Sequence, residues 1–221
     1  MIDIIHLNKS FSDKKVLHDI NISFNDGWVY GIMGENGAGK STLFRCMMHL
    51  ENYDGEISKE RDIHIGYLDD TPFFYSFVTG MEYIEFCLRA RRQNVNRGEI
   101  DALNMKFALP LDRYASNYSL GMKKRLMIMA LMLQKNDLVI MDEPFNGLDL
   151  EGTILLKQWI RQLKDDGCTV IISSHIISAL TDICDDITYI HQGSIVASYA
   201  GMTTDEIERD IMEKYLKGKA D

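Results

Sequence analysis

The chain lacks any long hydrophobic run. None of its apolar stretches approaches the ~20 residues that a membrane-spanning helix needs, so any work at a membrane requires another chain to supply the span. The opening residues, MIDIIHLNKS, have no basic start followed by an apolar core, and no signal peptide is expected. There is no excess of positive charge. Lys+Arg number 24 against 33 Asp+Glu, a formal net charge of −9, which gives no overall attraction to nucleic acid or anionic lipid. The four cysteines, Cys46, Cys87, Cys168 and Cys184, form no CxxC and have no histidine at metal-ligand spacing, and they read as small apolar residues of a reducing compartment. No internal repeat and no low-complexity segment is present. What remains is a chain of 221 residues, enough for one large α/β domain with a buried core.

Against these absences one stretch stands out, GENGAGKS at positions 34–41, between the apolar run Trp28 to Met33 and a helical segment from Thr42 to about Leu50. Gly34, four variable residues and then Gly39, Lys40 and Ser41 match the glycine-rich loop that wraps phosphates with backbone N–H groups. Glycine permits positive φ and lets bare backbone approach an anion. The helix start that follows offers unpaired N–H groups and a positive dipole end. Lys40 can reach the β and γ phosphate oxygens, and Ser41 can place a hydroxyl on Mg²⁺. Gly34, Asn36, Gly37, Ala38, Gly39, Lys40, Ser41 and Thr42 form the expected nucleotide-binding set.

The rest of the chain arranges itself around this loop. Ile2 to Leu7 and Val16 to Phe24 read as an antiparallel pair, Asn25 to Gly27 as a turn, Asp54-Gly55 as another turn and Ile63 to Leu68 as a strand. Thr79 with Glu82 has capping-box spacing and opens a helix to about Arg92. A second helix spans about Glu99 to Leu109 and stops at Pro110. Arg89, Arg91, Arg92 and Arg97 read as a solvated helix end rather than a nucleic-acid site. Ser119 precedes a helix from Leu120 to about Gln134 whose methionines are core filler. Asp137 to Met141 and Cys168 to Ser173 read as buried strands, with an amphipathic helix, Glu151 to Lys164, between them. Ile187 to His191 and Ser194 to Tyr199 form a hairpin across Gln192-Gly193, and the charged tail from Thr203 is at most helical. Strands alternating with helices imply an α/β fold with a mainly parallel sheet, an N-terminal antiparallel β subdomain and an inserted helical subdomain.

Chemistry should sit beyond the carboxyl ends of the parallel strands. Asp142 closes the strand DLVIM, where a carboxylate can hold Mg²⁺ opposite Ser41, and the adjacent Glu143 can accept a proton from an attacking water. His175 follows VIISS and can hydrogen-bond a γ-phosphate or position that water.

Taken in order, GENGAGKST, YSLGMKKRL, LVIMDEP, FNGLD and SSH resemble the nucleotide-binding subunit of an ATP-binding cassette (ABC) transporter over nearly the whole chain. The resemblance implies a P-loop NTPase core made of residues 1–70 and 133–205, a helical subdomain over 71–132 and a tail over 206–221. It identifies Ser119 and Gly121 as the signature loop, with Leu120 and Met122 where many members carry glycine and glutamine. It places Phe11 as the aromatic that stacks on adenine, Asp149 in the loop after the second phosphate motif, and Asp70 as a metal-shell residue where the family usually has glutamine. It also implies ATP and Mg²⁺ as ligands, with Glu143 as base, Lys40 neutralising charge and His175 sensing the γ-phosphate.

As partners it implies a second copy or a related cassette closing head to tail over two ATP, a polytopic membrane permease, and no nucleic acid. The expected location is cytoplasmic, peripheral on the inner face of the cell membrane. The aromatics Phe73, Phe74, Tyr75 and Phe77 fall where the family receives a helix of the membrane subunit. The overall pattern is most similar to exporters of peptide, drug or lipid-like cargo. Two other classes compete. A soluble ABC ATPase of DNA repair or translation would carry long coiled-coil insertions or a second cassette, and a non-hydrolysing scaffold would not need Glu143 and His175.

Overall fold

The structure, a computed structural model, describes residues 1–216. Two sheets organise it. Strands β1 (Ile2–Phe11), β2 (Lys14–Phe24) and β4 (Asp54–Lys59) form an antiparallel sheet in the order β2-β1-β4. The second sheet contains β3 (Val29–Met33), β5 (Ile65–Leu68), β6 (Leu138–Met141), β7 (Thr169–Ser174), β8 (Asp186–His191) and β9 (Ser194–Ala200), in the order β5-β6-β7-β3-β8-β9. All neighbours in it are parallel except the β8–β9 hairpin. The hairpin turns at Gln192 and Gly193, both at positive φ, the geometry that suits the twist of a two-residue turn.

Strands β3, β6 and β7 are buried at every position, as continuous apolar runs in a parallel sheet require. One face packs under α1 (Lys40–Met47) and the antiparallel sheet, through Leu7, Leu17, Ile32, Phe44, Ile140 and Ile171. The other face packs through Met33, Leu68, Met141, Val170 and Ile172 against the helices. These are α2 (Gly80–Ala90), α3 (Arg97–Phe107), α4 (Leu120–Gln134), α5 (Leu150–Asp165), α6 (Ile177–Thr181) and α7 (Thr204–Ile211).

Local signals set several boundaries. Thr79 and Glu82 make the expected capping box at α2: the Glu82 N–H donates to Thr79 Oγ1 and the Thr79 N–H to Glu82 Oε2. Asn96 caps α3, and Ala108 ends it in the left-handed region before Pro110. The tail opens on a second capping box, Thr203 with Glu206, so α7 is a formed helix whose Ile207 and Ile211 are buried. Residues 217–221 lie outside the described residues.

Asp54-Gly55 is not a turn. It opens β4 and pairs with β1, where Gly55 has φ +107 and a Cβ there would lie 2.4 Å from the His6 carbonyl oxygen. The glycine permits a close approach of two backbones, a use that an Asp-Gly dipeptide shares with turns. The arginines divide between two roles. Arg89 and Arg97 both pair with Glu85 at the surface, while Arg91 donates to the Ile65 carbonyl and to Asn136 Oδ1, which pins the end of α2 to the sheet edge.

Candidate nucleotide site

The phosphate loop joins β3 to α1 and is held in shape by its neighbours. Gly39, the residue before α1, has φ +108, and a Cβ on it would lie 2.7 Å from Leu17 Cδ2. A Cβ on Gly34 would lie 2.6 Å from the Ile190 carbonyl oxygen, so β8 seals that side. The β8–β9 turn buttresses the loop from beneath. The Gly193 N–H donates to the Ala38 carbonyl (3.1 Å), and the Gly193 carbonyl accepts from the His18 N–H (2.8 Å). Gly37, by contrast, has open space where a Cβ would stand. Such a loop presents main chain rather than side chain to an incoming anion.

Lys40 folds back over the loop and is 5% exposed. Its ammonium donates to the carbonyls of Gly34 (2.8 Å) and Glu35 (3.3 Å) and lies 3.3 Å from Glu143 Oε1. Glu143 Oε1 is buried and accepts no well-aligned hydrogen bond among the described residues, so its contact with Lys40 is an ion pair without directed geometry. The other carboxylate oxygen, Oε2, is 3.0 Å from His175 Nδ1. Lys40, Glu143 and His175, drawn from α1 and from the segments after β6 and β7, thus meet at one point.

Asp142 ends the buried strand and accepts from Ser173 Oγ at 2.5 Å. Ser41 hydrogen-bonds to it as well. Burial pushes the Asp142 carboxyl above the usual aspartate range, and the serines only partly offset this. A carboxylate and a hydroxyl oxygen side by side are hard donors, and a buried carboxylate that pays for desolvation gains from a divalent cation. Ser41 and Asp142 therefore fit Mg²⁺. Asp70, expected in the metal shell, adds its negative charge to the environment that raises Asp142, and its Oδ1 lies 3.3 Å from Lys124 Nζ.

Phe11 closes β1, is 43% exposed, and has Lys9 Nζ 4.4 Å from its ring centroid. Lys9 is itself buried and also bonds Glu51 and the Asn52 carbonyl, so the ring rests on a fixed cation. Ser119 caps α4, its Oγ accepting from the Met122 N–H, and both it and Leu120 are exposed. A Cβ on Gly121 would lie 2.8 Å from the Gly147 carbonyl oxygen, so the signature glycine packs on the loop that precedes Asp149. Asp149 caps α5 and is held by Arg125 at 2.5 and 2.7 Å, and that guanidinium keeps its carboxyl below the usual range.

Three residues of this assembly escaped the sequence reading. Ser173 ties Asp142 to the Glu143 N–H, Gly193 supports the phosphate loop, and Lys124 is fully buried behind Glu143. The basic run Lys123-Lys124-Arg125 was the only available signal, and it does not say which of three cations points inward.

An apolar groove of about 640 Å³ is lined by Phe73, Phe74, Tyr75, Phe77, Tyr83 and Phe86 with Glu82, Glu85 and Arg89 among its polar residues. Phe73, Tyr75, Phe77 and Phe86 are each at least 70% exposed. No helix among the described residues is long and apolar enough to cross a membrane.

Comparison with known proteins agrees with this geometry. The ABC transporter family model matches residues 17–146. A bacitracin transport ATP-binding protein of Enterococcus faecalis is 34% identical over 209 residues, covering 89% of this chain and 68% of that protein. A lantibiotic transport ATP-binding protein of Streptococcus pyogenes is 32% identical over 206 residues, covering 89% of each. Among solved structures, the ATP-binding subunit of an ABC transporter superposes with a TM-score of 0.83 at 26% identity, covering 96% of this chain and 93% of that one. A bacterial cassette solved as a dimer superposes with a TM-score of 0.82 at 19% identity, covering 92% of this chain and 100% of that one. Phosphate loop, carboxylate pair, histidine and sequence likeness agree, and the chain belongs to the ABC transporter family as one of its ATP-hydrolysing, nucleotide-binding cassettes.

Proposed function

We propose that this cassette closes head to tail with a second copy, or with a related cassette, over two ATP, and so drives cargo through a separate polytopic permease. The observation that carries the catalytic part is the convergence of Lys40, Glu143 and His175 on one point beside the phosphate loop. In this reading the loop N–H groups and Lys40 hold the phosphates. Phe11 stacks on the base, and Thr42 and the backbone of Asn36 to Ser41 complete the cradle. Ser41 and Asp142 would hold Mg²⁺, which when bound neutralises charge on the phosphate oxygens.

Glu143 takes a proton from the water that attacks the γ-phosphorus, and His175, 3.0 Å from its carboxylate, orients that base and reads the γ-phosphate. Ser119, exposed at the start of α4, and the half-buried Gly121 offer a hydroxyl and helix N–H groups to the γ-phosphate of the partner's ATP. Asp149 fixes the neighbouring loop at the same face. In this reading the phosphate loop belongs to a catalytic lobe, residues 1–70 and 133–205, and the signature loop to a helical lobe, residues 71–132.

The aromatic groove is the docking site for a cytoplasmic helix of the permease, which holds the cassette at the inner face of the membrane. Four large aromatics at 70% exposure or more, rimmed by charge, are costly to leave in water and suit a protein partner. Two relatives are named for transport of bacitracin and of a lantibiotic, which supports peptide or drug-like cargo in this reading, and the proposed direction is export. Affinity purification from solubilised membranes tests this reading. The wild-type chain should retain a polytopic protein that Phe73→Asp/Phe77→Asp loses with phosphate release unchanged. Equal recovery by both would remove the groove from docking.

A further inference from the structure

We propose that Lys124 is a positioning residue for hydrolysis, a clamp from the signature helix on the main chain of the catalytic carboxylate. Lys124 lies in the second turn of α4 and is 0% exposed. Its ammonium donates to the Glu143 carbonyl oxygen at 2.8 Å and to Asp70 Oδ1 at 3.3 Å. A fully buried ammonium is a poor way to fill space, because desolvation costs more than an apolar side chain of the same volume would. What it offers instead is directed donors, and they fall on the residue whose carboxylate faces the phosphate loop.

Glu143 needs such support. It sits at φ +43, in the left-handed region that non-glycine residues seldom occupy, directly after a buried strand. Its peptide groups are gripped from two elements: the N–H donates to Ser173 Oγ on β7 and the carbonyl accepts from Lys124 on α4. Ser173 is bonded in turn to Asp142, and Lys124 to Asp70. The angle at which the Glu143 side chain leaves the backbone is thereby set jointly by the sheet and by α4.

The same helix begins at Ser119, five residues earlier and so about 7.5 Å along its axis. Any movement of the helix start is carried to the Glu143 carbonyl by one rigid turn and one ammonium. Asp70 takes the role of counter-ion to the buried lysine, which accounts for an acid at a position where the family usually has glutamine.

This inference rests on Glu143 acting as the base, and the test separates the two. Steady-state phosphate release, equilibrium binding of a fluorescent ATP analogue and thermal unfolding are measured for Lys124→Met, Asp70→Asn/Lys124→Met and, in parallel, Glu143→Gln. Lys124→Met should lower kcat on the order of 10- to 100-fold, the scale of a misplaced catalytic group, with analogue affinity and KM within threefold of wild type. The double variant, which leaves no unpaired carboxylate, should recover Tm but not kcat. It carries the same test if the single variant fails to fold.

A kcat within threefold of wild type in Lys124→Met, or its return in the double variant, would overturn the clamp and leave Lys124 a counter-ion only. Wild-type turnover in Glu143→Gln would instead overturn the base assignment on which the clamp depends.

Discussion

Replacing Glu143 by glutamine keeps the shape of the side chain and removes its basicity. The carboxylate is 8% exposed, with Oε1 3.3 Å from Lys40 Nζ and Oε2 3.0 Å from His175 Nδ1. An amide can still accept from the histidine, and Lys40 keeps the Gly34 carbonyl at 2.8 Å, so the cradle should survive. The change removes one buried charge but also the carboxylate beside Lys40, which is 5% exposed, so Tm without nucleotide should fall and should recover when ATP phosphates pair the lysine. A general base contributes typically 10²- to 10⁴-fold, or about 3 to 5 kcal/mol of barrier at about 1.4 kcal/mol per decade. Glu143→Gln should therefore release phosphate about 10²- to 10⁴-fold more slowly at saturating ATP and magnesium while binding ATP as tightly as wild type. A kcat within threefold of wild type would refute the assignment of Glu143 as base. A large loss of ATP affinity would show instead that the carboxylate shapes the cradle.

Two further outcomes follow from the site. Gly39→Val puts a branched side chain at φ +108 with its Cβ 2.7 Å from Leu17, so nucleotide binding should fall below detection in equilibrium dialysis; unchanged affinity would remove the loop from phosphate binding. Burial raises the Asp142 carboxyl, so the folded protein holds that proton more tightly than the unfolded chain, and stability falls as pH rises from the ordinary aspartate value, about 3.9, through the higher folded value. In EDTA, Asp142→Asn should therefore melt above wild type at neutral pH, with the gap closing toward pH 4. A lower Tm at neutral pH would contradict the burial argument.

The parts of this site that local spacing encodes were legible from the chain alone. Gly34, Gly39, Lys40 and Ser41 follow one another at fixed offsets because one loop must do one job, and β6 is legible because four apolar residues run straight into Asp142-Glu143. The antiparallel pair, the Thr79 capping box and the Gln192-Gly193 hairpin also depend on near neighbours.

What sequence reading could not supply depends on distant contacts. Asp54-Gly55 has the composition of a turn and becomes strand only because His6, 49 residues away, brings its carbonyl oxygen against Gly55. Lys123, Lys124 and Arg125 are three cations in a row. Helical geometry turns the middle one inward to Glu143 and the last outward to Asp149, and no pattern shorter than the fold distinguishes them. Likewise Gly193 serves both as the hairpin turn and as the support under Ala38, and only the first use leaves a local trace.

If the loop grips a triphosphate that a second copy then seals, association must depend on nucleotide. Sedimentation equilibrium of Glu143→Gln with and without ATP and magnesium tests it most directly. Glu143→Gln should be a monomer without nucleotide, become a dimer holding two ATP per pair, and return to monomer when Ser119→Arg blocks the helix start. A monomer at saturating ATP, or a dimer that forms equally well without it, would refute closure of two copies over bound nucleotide.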